Sequence, residues 1–229
     1  MKLIKLDITK EDITSALKKA KTQSFLDNLR ERNQFVKLDS KIRGYLGEIC
    51  IKRWFNENEI EFQDTKFEDV DGNIDIDLLF KNSFSEEIII EIKTSLIPDN
   101  WKNIEKTMQR ADIKIIKRTE KSVENVHADF HVQIYFNFLR KERDSFLKTI
   151  SGNINNYNDE DLIKIMNLNN YEQLFVSWVD KKSLIKYINS VEDKTWSFGF
   201  RNFWKCPINE IGNEPFDIIK ALKNYKVDS

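Results

Sequence analysis

Asp75, Asp77, Glu91 and Lys93 stand at alternating positions in two isoleucine-rich runs, IDIDLLF (74–80) and EEIIIEIK (86–93). A period of two is that of a β-strand, so Ile74, Ile76, Leu78 and Phe80 take one face and the two aspartates the other. The second run sets Ile88, Ile90 and Ile92 against Glu91 and Lys93 in the same way. A hairpin centred near Phe84 places Asp77 opposite Glu91 and Asp75 opposite Lys93, with Cβ atoms about 5 Å apart. A two-residue slip would exchange partners and keep the face. Carboxylates this close repel and raise each other's pKa, so positive charge is required between them. Lys93 supplies one charge. A hard divalent cation such as Mg²⁺, which takes one or two carboxylates plus waters and substrate phosphate, would supply the rest. The plainer alternative is a solvated polar face on an edge hairpin.

The element that must cover this hairpin precedes it. LDSKIRGYLGEICIKRWFNEN (38–58) predicts a helix capped by Asp39 or Ser40, with Ile42, Leu46, Ile49 and Cys50 on one side. Gly44, Glu48, Ile51 and Phe55 lie on the other, at spacings of three and four. A helix apolar on both sides is sandwiched. Each glycine costs about 1 kcal/mol relative to alanine, so Gly44 and Gly47 imply close approach to another backbone. Glu48 would then come in at close range.

This ordered set resembles the PD-(D/E)xK nuclease superfamily, with its restriction-endonuclease-like fold: GYLGE (44–48) on a helix, NIDIDLLF (73–80) and IIIEIKT (88–94) on strands. The proline of the nominal motif is absent, which leaves Asp75 and Asp77 both open as its aspartate; Asp77 is preferred on hairpin pairing. The resemblance implies that Asp77 and Glu91 ligate Mg²⁺ (Mn²⁺ as a substitute) together with the Ile92 carbonyl, with Asp75 as second choice. It implies that Lys93 stands by the attacking water and that Glu48 positions Lys93 or helps to hold a second cation. The implied fold is α/β, a mixed central sheet flanked by helices. The implied function is a Mg²⁺-dependent endonuclease on double-stranded DNA, a type II restriction endonuclease in the first instance. A compact chain without a motor motif fits that reading, and a palindromic site would call for a homodimer. Structure-selective, repair or defence nucleases share the core. A non-catalytic nucleic-acid-binding protein is the alternative from another class.

Composition bounds these readings. At 229 residues, 40% hydrophobic and 33% charged, the chain supports one globular nuclease domain: N-terminal helices (1–37), a catalytic core (38–138) and a peripheral strand and helix elaboration (139–229). The N-terminal MKLIK leads into a polar segment and no apolar run reaches membrane-spanning length, so a cytoplasmic location is expected. Two cysteines without a CxxC pair and two histidines support neither a zinc site nor histidine-based chemistry. A net charge of −1 argues against a passive DNA-coating protein. Lys102, Lys106, Arg110 and Lys114 nevertheless recur every four residues and could form a helical stripe toward phosphates. ADFHVQIYFNF (128–138) predicts a strand parallel to that of Glu91, with His131, Gln133 and Tyr135 on one face. QLFVSWVD (173–180) predicts a strand followed by a helix, and the interleaved aromatics and cations of 190–206 predict a strand against the core.

Overall fold

A computed structural model describes residues 2–22, 33–68, 74–118, 122–199 and 201–226, with the side chains of 64–68 and 74–77 left outside the description. The elements run β1 (Ile4–Leu6), α1 (Lys10–Thr22), α2 (Gln34–Glu57), β2 (Phe62–Glu68), β3 (Ile74–Lys81), β4 (Glu87–Ile97), α3 (Ile104–Arg110) and β5 (Ile115–Lys117). There follow β6 (Phe130–Leu139), α4 (Arg140–Thr149), α5 (Asp159–Ile165), β7 (Gln173–Asp180), α6 (Lys181–Ser190), β8 (Thr195–Phe198), β9 (Arg201–Trp204), α7 (Ile208–Ile211) and α8 (Asp217–Asn224). The described strands form a mixed six-stranded sheet, β1-β7-β6-β4-β3-β2, and a three-stranded one, β5-β9-β8. The chain is thus mixed α/β, its central sheet flanked by helices. Among the described residues no helix is long and apolar enough to cross a membrane.

The β3–β4 hairpin has the expected register. Leu78 pairs with Ile90, Leu79 with Ile89, Phe80 with Ile88 and Lys81 with Glu87. Asn82 fixes the turn: its side-chain oxygen accepts from the backbone N–H of Phe84 and Glu86, its amide donates to the Tyr225 carbonyl, and Ser85 takes the left-handed conformation at φ 63°. The strand of 128–138 joins β4 in parallel, as its separation by a crossover predicts. Asp129 locks the start of that pairing, its carboxylate accepting from Ile89 N–H at 2.9 Å while its own N–H donates to the Ile89 carbonyl.

β4 carries two different faces. Ile88 and Ile90, with Phe130, Val132 and Ile134 of β6, pack on Cys50, Ile51 and Phe55 of α2. Farther along, Leu96 and Phe136 meet Phe35, Val36, Leu38, Ile42 and Leu46 of α2, and Ile13, Ala16, Leu17 and Ala20 of α1 close over that helix. α2 is therefore sandwiched between α1 and the sheet. On the other face, Ile97, Tyr135, Val176 and Val179 bury against Ile113, Ile115, Leu184, Trp204 and Ile208.

Four expectations change. Helix α2 begins at Gln34 because Asn33, not Asp39 or Ser40, caps it, accepting from Phe35 N–H. Asp39 is instead an interior, fully buried position. Gly47 does meet the sheet, since a Cβ built there would lie 2.3 Å from Thr94 Cγ2, whereas one on Gly44 would find no described atom within 4 Å. The segment assigned to the periphery supplies β7, which lies inside the central sheet between β1 and β6. The basic stripe does not continue as one helix: α3 stops at Arg110 because the backbone of 111–113 is taken by 206–208, with Ile113 N–H donating to Cys206 O and Ile208 N–H to Ala111 O.

The Gly47 contact gives a direct test. Gly47→Ala gains helix propensity but overlaps a β-branched side chain in a packed interface, so a net destabilisation of about 1–3 kcal/mol is expected in urea unfolding. Thr94→Ser, which removes the overlapping methyl, should recover most of that loss in the double variant, and additive effects would refute the contact.

Candidate active site

Strand alternation brings Glu91 and Lys93 to the β4 face opposite Thr94, and the parallel register sets His131 beside Glu91 and Gln133 beside Lys93. Glu91 is 7% exposed. Its Oε1 receives Lys93 Nζ at 2.7 Å and lies 3.5 Å from Arg118 Nη2, while its Oε2 faces His131 Nδ1 at 2.9 Å. Burial pushes the Glu91 carboxyl up, but the Lys93 charge and the His131 hydrogen bond outweigh it and hold the group well below the ordinary carboxylate range. An ionised carboxylate only accepts, so His131 Nδ1 carries the proton of that bond. His131 Nε2 is buried with no hydrogen-bond partner among the described residues.

Gln133 holds Lys93 from behind. Its Nε2 lies 3.1 Å from both Lys93 O and Ser95 Oγ, and its Oε1 accepts from Lys114 N–H at 3.0 Å. One fully buried amide thereby couples β4, β6 and the chain leading into β5.

The carboxylates expected from β3 lie just beyond the described β3–β4 pairing. The last β3–β4 pair is Leu78 with Ile90, and Asp77 and Glu91 are the next residues on each strand, followed at the same register by Asp75 and Lys93. The side chains of Asp75 and Asp77 lie outside the described residues. Ile92, whose carbonyl the resemblance offers as a ligand, lies between Glu91 and Lys93 on β4. Among the described side chains, which exclude those two aspartates, no group of three His, Cys, Asp or Glu could hold a metal ion.

Glu48 lies on α2. It follows Gly47, whose backbone packs on Thr94, so α2 lies on the opposite face of β4 from Glu91 and Lys93. Half-buried there, its charge acts on Tyr45, whose hydroxyl is pushed up first by burial and then by Glu48. Lys102, Lys106 and Arg110 are exposed: Lys102 precedes α3 with φ 62°, and the other two lie on it. Lys114, in line with them by spacing, instead turns inward.

The sequence reading missed Arg118 as a partner of Glu91. Its signal was a place in the cationic run that includes Lys114 and Lys117, which does not reveal a pairing made across the fold. No family model, curated protein or solved structure matches the chain.

Proposed function

We propose that the chain is a Mg²⁺-dependent nuclease of restriction-endonuclease-like fold, hydrolysing phosphodiester bonds at Glu91 and Lys93. The observation that carries this reading is the 2.7 Å Glu91–Lys93 pair on β4, which forms a hairpin with the strand that carries Asp77. The donor set suits a hard cation: Glu91 stays ionised, each of its oxygens has more than one lone-pair site, and Asp77 immediately precedes Leu78, the β3 partner of Ile90. Asp77 and Glu91, with the Ile92 carbonyl, would hold Mg²⁺, and Asp75 is the alternative to Asp77. When bound, the ion would lower the pKa of a coordinated water and neutralise charge on the scissile phosphate.

The remaining roles belong to the chain. Lys93 orients the attacking water and offsets charge on the pentacovalent transition state. Gln133 fixes the β4 backbone at Lys93, and His131 with Arg118 keeps Glu91 ionised if Lys93 gives up a proton. Glu48, on α2, would position Lys93 or help to hold a second cation. Double-stranded DNA is the substrate we assign, with a type II restriction endonuclease acting as a homodimer as the finer form of the reading.

A second reading has its own support. Three cationic or potentially cationic side chains on one buried carboxylate also describe a structural charge cluster in a non-catalytic nucleic-acid-binding protein. Cleavage of mixed-sequence duplex DNA in Mg²⁺ and in EDTA, for wild type and Asp77→Ala, separates the two. Cutting that needs both Mg²⁺ and Asp77 is expected, and fragment ends sharing one short motif would mark a restriction enzyme. Binding without cutting on duplex, branched and single-stranded DNA and RNA would favour the charge cluster.

A further inference from the structure

A second concentration of charge lies at the C-terminal end of β4, where α2, α4 and the chain leading into β5 surround a cleft of about 550 Å³. Arg43, Lys114, Arg140, Lys141 and Lys148 line it, against Asp144 as the acid of the described lining. These cations are only partly neutralised: Arg140 Nη2 lies 3.5 Å from Asp99 and Arg43 pairs with Asp39 through one nitrogen. Arg43 is 8% exposed and donates from Nε to Asp39 at 2.8 Å, and no described acceptor lies within bonding distance of its two terminal amines. Lys114 Nζ likewise has no described acceptor. Its pKa is pushed down to about 8, by burial first and then by the charges of Arg43 and Arg140. Burial pushes the Asp144 carboxyl up, which weakens it as an internal counterion.

Holding incompletely neutralised cations together in a recess opposes folding, and a bound anion would remove that cost. The cleft also has an aromatic wall: Phe198 is 52% exposed, and the Arg140 guanidinium lies 4.9 Å over its ring. Cations at the base and an exposed ring at the rim suit a phosphoryl group joined to a planar base. The volume falls within the roughly 300–1,000 Å³ typical of small-ligand sites, and a recessed Arg43 is poorly placed for the convex backbone of an intact duplex.

We propose that this cleft binds the phosphoryl group of a nucleotide, presented either by a free mononucleotide or by the terminal nucleotide of a strand. Gln133 links it to the Glu91–Lys93 pair through the Lys114 N–H, but the proposal does not depend on hydrolysis at that pair.

Titration calorimetry of the full chain tests it, with adenosine 5′-monophosphate, adenosine, and one oligonucleotide with and without a 5′-phosphate as probes. Saturable binding of a phosphorylated probe, absent for its unphosphorylated counterpart, is expected. Lys114→Met should weaken it at least about tenfold while raising Tm, because the variant loses an unpaired cation; Arg140→Gln, at a less buried position, should weaken it too. At pH 8, binding should take up protons as the anion restores the charge of Lys114, which Arg43, Arg140, Lys141, Lys148 and Asp144 face across the cleft. Binding by the mononucleotide assigns a free ligand, and binding by the 5′-phosphorylated strand alone assigns a strand end. No binding by any phosphorylated probe, or unchanged binding in both variants, would overturn the proposal. Retained binding in Asp77→Ala and Lys93→Ala would separate it from the nuclease reading.

Discussion

Lys93→Ala is expected to lower nucleic-acid cleavage by at least about 10³-fold while leaving the fold and the affinity for uncut substrate nearly intact. The rate effect follows from removing a fixed cation from a largely dry site, where charge developing on phosphate has little water to stabilise it; a single such donor is worth about 10²–10³, and the loss of water activation adds to it. Structural tolerance follows from the partners that remain. Without Lys93, the Glu91 carboxylate still faces His131 at 2.9 Å and Arg118 at 3.5 Å, so the buried charge is not stranded. Lys93→Arg separates two roles: arginine keeps the charge but does not deprotonate, so partial activity would assign electrostatic stabilisation and complete loss would assign proton transfer. Single-turnover cleavage beside a filter-binding isotherm measures both quantities. Equal rates for wild type and Lys93→Ala would sink the mechanism.

What could be read from the sequence was whatever repeats with a local period. The alternation in 88–93 set the faces of β4, and Asn82 and Ser85 in the turn fixed the hairpin register that alternation leaves open. His131 and Gln133 could be put on the correct face of β6, and their partners followed once β6 lay parallel to β4. Features that depend on how elements meet were not legible. Gly44 and Gly47 are equivalent in sequence, yet only Gly47 turns to Thr94, which depends on the rotation of α2 against the sheet. Lys114 matched a helical stripe by spacing, but backbone pairing of 111–113 with 206–208 ended that helix and sent Lys114 into the cleft. Asp39 looked like a cap because cap residues are recognised by type, while its role is set by Arg143, far away in the chain.

That role makes Asp39 the position with the largest expected effect on stability. Asp39 Oδ2 accepts from Arg43 Nε at 2.8 Å, and Oδ1 accepts from Arg143 Nε at 2.8 Å and Nη2 at 2.6 Å and from the Tyr171 hydroxyl. Arg143 is 2% exposed and stacks on Phe138 and Tyr171, so it cannot reach water if its counterion is removed. Asp39→Ala would leave a buried guanidinium without its carboxylate, and a loss of about 3–5 kcal/mol is expected in urea unfolding at neutral pH. Arg143→Met should cost less, because Arg43 still accompanies Asp39 and the apolar side chain fills the space between the rings. The pH dependence has a definite sign. Burial raises the Asp39 carboxyl, but the charges of Arg43 and Arg143 and the Tyr171 hydrogen bond leave its folded pKa below the 3.8 of the unfolded chain. The unfolded state therefore binds more protons in that window, and the contribution is present above pH 3.8 and lost as pH falls through the folded value. Wild type should lose stability more steeply than Asp39→Asn below pH 3.8, so their unfolding midpoints converge in acid. Parallel midpoints across that range would show that the charge on Asp39 does not hold α2 to α4.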